Sequence, residues 1–174
     1  MKTSRSFFAI VVSAALISGC SVFSAKDEIE PAKLEDFDQK VELSRVWSAK
    51  PTSSNNSYWS KLNMAVNEHT LFAADHSGTL VALEVDTGRQ QWSVDLDLPI
   101  SGGLGYGDQK VVLGTIEGQV YTLNAQDGSV LWSSSVSSEV LSTPSVNSDI
   151  VVAQSIDNRI YAFDSETCEE MWQH

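Results

Sequence analysis

One 21-residue unit recurs three times in this chain, always ending in tryptophan and each time 40 residues further on. The copies are FAADHSGTLVALEVDTGRQQW (72–92), VLGTIEGQVYTLNAQDGSVLW (112–132) and VAQSIDNRIYAFDSETCEEMW (152–172). A fixed period of that size marks a repeat architecture, in which each unit leaves an apolar face that only a neighbouring unit covers. β-Branched and aromatic residues recur at even intervals without long helical periodicity, which predicts an all-β fold.

Each unit divides into four short strands. They are expected near 62–66, 71–75, 80–84 and 89–96, then 103–106, 111–115, 120–124 and 129–136, then 143–146, 150–155, 160–164 and 169–173. Four strands in about 40 residues, joined by tight turns, describe one antiparallel blade of a β-propeller. Residues 58–174 therefore read as three blades, about 58–98, 99–138 and 139–174. A ring typically needs four blades or more, so three are incomplete. The expectation is an N-terminal portion or a truncated gene product, poorly soluble alone because a blade face and a strand edge stay open.

The repeated residues have separate physical reasons. Gly78 and Gly118, with Asn158 in the third copy, occupy a hairpin position that wants positive φ, which Gly meets freely and Asn tolerates. Gly88 and Gly128 serve the next hairpin. There the third copy has Cys168, at a cost of about 1 kcal/mol if its φ is positive, unless the turn changes type. In the third strands Leu80 and Ala82 alternate with Val81 and Leu83, and Val120 and Thr122 with Tyr121 and Leu123. Apolar residues on both faces suit a sheet stacked on both sides. Trp92, Trp132 and Trp172 are then wedges between blades, each burying on the order of 200 Å². A ligand-stacking role fits any one of them less well, since all three hold the same repeat position.

Upstream, Ser44-Arg45-Val46-Trp47-Ser48 resembles the final strand of the first repeat with no strands before it. Residues 41–50 read as an orphan strand that completes the last blade of a full ring, or else as an unrelated strand carrying a tryptophan. Residues 51–57 form a loop by composition.

Residues 1–19 read as a secretory signal: Lys2 and Arg5 precede an apolar run too short for a membrane span. Ile17-Ser18-Gly19-Cys20 resembles the bacterial lipobox, which makes Cys20 the lipidated mature N-terminus. By the same resemblance Ser21 suggests sorting to the outer membrane, where several acyl chains hold the protein on the periplasmic face. Residues 20–40 form an acidic tether reaching on the order of 25 Å, with a short helix around 33–38 as the alternative.

Loss of Lys2 and Arg5 takes the net charge from −12 to −14. With no basic cluster, nucleic-acid binding has no electrostatic footprint. Cys168 is the one thiol left beside Cys20, so no internal disulfide forms. No zinc spacing or calcium loop occurs. His69 and His174 stand alone, and Asp75-His76, the one pair suggesting acid–base chemistry, falls on a turn.

Ala82-Leu83-Glu84-Val85-Asp86-Thr87-Gly88-Arg89-Gln90-Gln91-Trp92 resembles the A-x-D-x-x-T-G-x-x-x-W motif of quinoprotein-type β-propellers, with Glu for Asp. The third copy keeps Ala162, Asp164, Thr167 and Trp172; the second keeps Gly128 and Trp132, with Asn124 in the acidic place. With the lipobox, the tether and the orphan tryptophan strand, the whole chain resembles the lipoproteins of the outer-membrane β-barrel assembly machinery. That resemblance implies an eight-bladed, non-catalytic scaffold without cofactor or metal, bound to the central barrel-assembly subunit. Two readings compete: a periplasmic quinoprotein dehydrogenase fragment, using a quinone and Ca²⁺, and a ligand-binding or sensor propeller.

Overall fold

Period-two apolar runs between turn residues become twelve antiparallel strands among the described residues, which are 32–35, 40–52 and 62–174 of this computed structural model. β1 (Ala65–Val66), β2 (Thr70–Ala74), β3 (Thr79–Glu84) and β4 (Gln90–Asp95) form the first sheet. β5 (Ile100–Gly107), β6 (Lys110–Thr115), β7 (Gln119–Asn124) and β8 (Val130–Ser135) form the second. β9 (Ser145–Val146), β10 (Ile150–Gln154), β11 (Ile160–Asp164) and β12 (Glu170–Gln173) form the third. Each sheet pairs its strands in sequence order, which is the meander of a propeller blade. The fold expected from the repeat is the fold observed: all-β, with three four-stranded blades.

Most strand ends fall within a residue or two of where the sequence puts them. Two starts move further: β1, expected from 62, begins at Ala65, and β5, expected from 103, begins at Ile100, which pairs with Thr115 ahead of an irregularity in the ladder.

One cross-strand row recurs in every blade. Ala65, Phe72, Ala82 and Trp92 are successive partners in the first. Gly105, Val112, Thr122 and Trp132 follow in the second, then Ser145, Val152, Ala162 and Trp172 in the third. Just past this row the third and fourth strands slip register in all three blades, which leaves Gln91, Leu131 and Met171 without partners as bulge residues.

The middle blade explains why both faces of a strand are apolar. Val111, Leu113 and Leu123 join Phe72, Leu80, Ala82 and Ile100 in the core shared with the first blade. Val112 and Val120, on the opposite side, join Val140, Val151, Ala153, Tyr161 and Phe163 in the core shared with the third. Alternation thus sends successive side chains into two different interfaces. Close approach of blades requires a missing side chain: a Cβ on Gly105 would collide with the carbonyl oxygen of Pro144.

The chain divides into two compact units, Met1–Glu42 and Leu43–His174. In the first, residues 32–35 and 40–42 are exposed and without regular structure. The segments read from the sequence as leader and tether lie wholly or mostly outside the described residues, with Cys20 and most of residues 51–57. Among the described residues no helix is long and apolar enough to cross a membrane.

Residues 41–50 carry no strand here, since no described strand offers them a ladder and a strand exists only through its partner; their reading as the strand that completes the last blade of a full ring remains a proposal. What the segment does contribute is Trp47.

Candidate functional site

A tryptophan closes one element, and the β3–β4 type hairpin of the following blade receives it. Trp47 Nε1 donates to the carbonyl of Val85 at 2.7 Å, Trp92 Nε1 to that of Ala125 at 3.1 Å, and Trp132 Nε1 to that of Ser165 at 2.9 Å. The three acceptors are one repeat apart, and so are the residues three positions further on: Gly88, Gly128 and Cys168, with φ of 70°, 76° and 61°. A Cβ on Gly88 would lie 2.6 Å from the Trp47 ring, and one on Gly128 2.8 Å from the Trp92 ring. Glycine therefore has two reasons to be there: the left-handed turn and the indole lying on it.

The rest of the motif closes the same hairpin. Thr87 Oγ1 donates to Glu84 at 2.6 Å and accepts from the amide of Arg89 at 3.2 Å, while Arg89 Nε reaches Glu84 at 3.3 Å. The Thr87 hydroxyl, helped by Arg89, holds the Glu84 carboxyl below its ordinary range. In the third blade Asp164 accepts from the amides of Glu166 and Thr167 and from the Thr167 hydroxyl, at 3.0, 2.8 and 3.0 Å. Asn124 keeps one such bond, from the amide of Gln126 at 2.8 Å. The acidic and threonine positions are thus turn-closing groups, and the glycine and tryptophan positions join blades.

Trp172 occupies the same row as Trp92 and Trp132 but is 41% exposed, with its ring 5.6 Å from that of His174. Ile160 and Met171 are exposed beside it in the same blade. Gly78, Gly118 and Asn158 sit in the β2–β3 type hairpins with φ of 106°, 75° and 67°.

Asp75 and His76 sit on the turn between β2 and β3, and each bonds to other residues. Asp75 Oδ1 accepts from the amide and hydroxyl of Ser77 and the amide of Thr79, at 3.0, 2.7 and 3.1 Å, which engages that oxygen in its own turn, while Oδ2 is buried with no hydrogen-bond partner among the described residues. His76 Nδ1 lies 2.8 Å from the carbonyl of Ile100. His69 belongs to the turn capped by Asn67, and His174 exchanges both backbone bonds with Ile160. Among the described residues no three His, Cys, Asp or Glu side chains come together at metal-binding distance.

The structure also brings together residues that the repeat comparison missed, because they differ from copy to copy. Between the second and third blades Lys110 is buried, its Nζ 2.8 Å from Glu166 and 3.0 Å from Asp108. Burial works against its charge, yet the bonds to the two carboxylates hold the ammonium above the ordinary lysine range. Between the first and second blades the corresponding place is a cavity of about 330 Å³, lined by Asn67, Thr70, Gln91, Tyr106, Gln109 and Gln126 over Phe72 and Ala125. Comparing the copies for what changes, not for what persists, would have exposed both.

The family model described as outer membrane protein assembly factor BamB matches residues 6–99 and again 76–174. BamB of Yersinia pestis is 33% identical over 146 residues, covering 77% of this chain and 37% of that protein. The crystal structure of BamB from Moraxella catarrhalis superposes with a TM-score of 0.61 at 24% identity, over 67% of this chain and 36% of that one. A europium-containing methanol dehydrogenase shares the fold, with a TM-score of 0.55 at 19% identity over 63% of this chain and 23% of the enzyme. The chain thus spans about a third of the length of the curated relatives it matches. On the two family matches, which together run from residue 6 to residue 174, this chain belongs to the outer membrane protein assembly factor BamB family.

Proposed function

We propose that this chain serves a lipid-anchored, non-catalytic scaffold that supports the assembly of β-barrel proteins into the bacterial outer membrane. The observation that carries this reading is family membership across all three blades. The docking geometry supports it: Glu84, Thr87, Gly88 and Trp92 are spent on turn closure and blade contacts, so the repeat supplies rigidity and presents loops. Its partner is the central subunit of the barrel-assembly complex. Cys20 carries the acyl chains that hold the protein on the periplasmic face, since a mature body whose net charge falls from −12 to −14 with the loss of Lys2 and Arg5 gains nothing from an anionic surface.

Crosslinking in the cell envelope, followed by identification of what is attached, tests the partner. Recovery of the barrel-assembly subunit is expected, and its absence from the crosslinked material overturns the reading. Cys20→Ser should move the protein out of the outer-membrane fraction. Unchanged fractionation of that variant would refute the anchor.

A further inference from the structure

The cavity between the first two blades is an interface position left unfilled. In the next interface Asp108, Lys110 and Glu166 occupy it with an ion pair that crosses from blade to blade. One repeat earlier the same three positions are Glu68, Thr70 and Gln126. The first acid is kept, but the side chain that would cross is cut to threonine and its far partner is an amide. A half-open groove of about 330 Å³ results, with Gln91, Gln109 and Gln126 on its exposed rim.

Its lining carries no charge, in a chain with 23 acidic residues. Thr70 Oγ1 donates to Gln91 Oε1 at 3.4 Å, Gln126 Nε2 donates to Gln109 Oε1 at 3.0 Å, and Asn67 Oδ1 takes the amides of His69 and Thr70 at 2.9 and 2.7 Å. Three carboxamide oxygens are therefore engaged, which leaves the –NH₂ groups of Asn67, Gln91 and Gln109 as donors and Gln126 Oε1 as an acceptor. Gln91 is the bulge residue of β4, where the ladder slips. Phe72 and Tyr106 stack at 5.4 Å to form the apolar side.

We propose that this cavity binds a short uncharged segment of a partner polypeptide, whose backbone carbonyls accept from the carboxamides while an apolar or aromatic side chain lies against the partly buried Tyr106. An anion would find no cation there and a cation no carboxylate. An acyl chain would strand several polar groups without partners. A peptide amide both accepts and donates, as this lining requires. A sugar ring needs an open aromatic face, whereas Phe72 is 1% exposed and covers one face of Tyr106. The proposal rests on the scaffold reading in that it takes the partner to be a protein.

The test is saturation-transfer NMR on the full chain in mild detergent, with N-acetylphenylalaninamide as the probe and N,N′-diacetylchitobiose as the sugar control. Transfer to the phenyl and acetyl protons of the capped residue is expected. It should fall at least fivefold in Thr70→Lys/Gln126→Glu, which with native Glu68 rebuilds the ion pair seen one blade on. Gln109→Ala removes one donor without adding bulk and should lower the signal about threefold if the double variant does not fold. No transfer to the capped residue, equal transfer in these variants, or stronger transfer to the sugar each overturns the proposal. Because the readout is a small probe, a chain that binds it but recovers no barrel-assembly subunit fails on function alone, and the reverse fails on the cavity alone.

Discussion

The indole of Trp47 lies on Gly88, in the place that Trp92 takes on Gly128 forty residues later, and donates to Val85 2.7 Å away. A segment without a strand of its own is thereby fixed to the first blade by the same contact that joins blade to blade. Gly88→Ala puts a methyl group 2.6 Å from that ring and at a φ of 70°. Overpacking and the left-handed backbone together should cost about 2–4 kcal/mol. In a Trp47→Ala background only the backbone part remains, about 1 kcal/mol. A double-mutant cycle by urea unfolding of the full chain checks this; equal costs in both backgrounds would show that the ring does not rest on the glycine.

Tryptophans at one repeat position should differ in worth according to what receives them. Trp92 packs against the core shared by the first two blades and bonds to Ala125, so Trp92→Ala should cost about 3 kcal/mol. Trp172, 41% exposed, should cost under about 1 kcal/mol on the same change. Comparable losses at the two positions in thermal unfolding would contradict the assignment of Trp92 as a blade-joining wedge.

Cys168 holds φ of 61° where the earlier hairpins use glycine. A side chain in that conformation costs about 1–2 kcal/mol, and glycine gives back about 0.5–1 kcal/mol through the freer unfolded chain. Cys168→Gly should therefore stabilise by about 0.5 kcal/mol, while Cys168→Ala, which keeps the Cβ, should bring no gain. The ordering of the two unfolding midpoints decides it.

What the sequence made legible follows from period. The three blades, the hairpins of Gly78, Gly118 and Asn158 and the tryptophan row repeat every 40 residues, so each was visible three times over, whereas the positive φ at Cys168 was left open by the missing glycine. The contact of Trp47 with Gly88 joins unlike elements, and only the resemblance of 44–48 to 89–93 hinted at it. The bulge at Gln91 left no mark, because a register slip between β3 and β4 changes partners without changing composition. The cavity was hidden for a related reason. It arises from Thr70 and Gln126, two ordinary polar residues whose meaning appears only when Lys110 and Glu166 are seen bonded one blade later.

That ion pair carries a pH signature. Lys110 is 8% exposed and bonded to Asp108 and Glu166, so its folded pKa lies above its unfolded value. A raised lysine contributes its stability in full below the unfolded pKa of about 10.4, and loses it as pH rises through the folded value. Both carboxylates are partly solvated, 45% and 71% exposed, which screens the pair to roughly 1 kcal/mol at neutral pH. Lys110→Met keeps most of the buried stem and removes the charge. Its deficit against the wild type should hold constant from pH 7 to about pH 10 and shrink above about 10.5, as the wild-type lysine deprotonates. Urea midpoints of both chains at pH 7, 9 and 11 measure the difference. A deficit that stays the same at pH 11 would assign Lys110 to packing alone, with no net contribution from its charge.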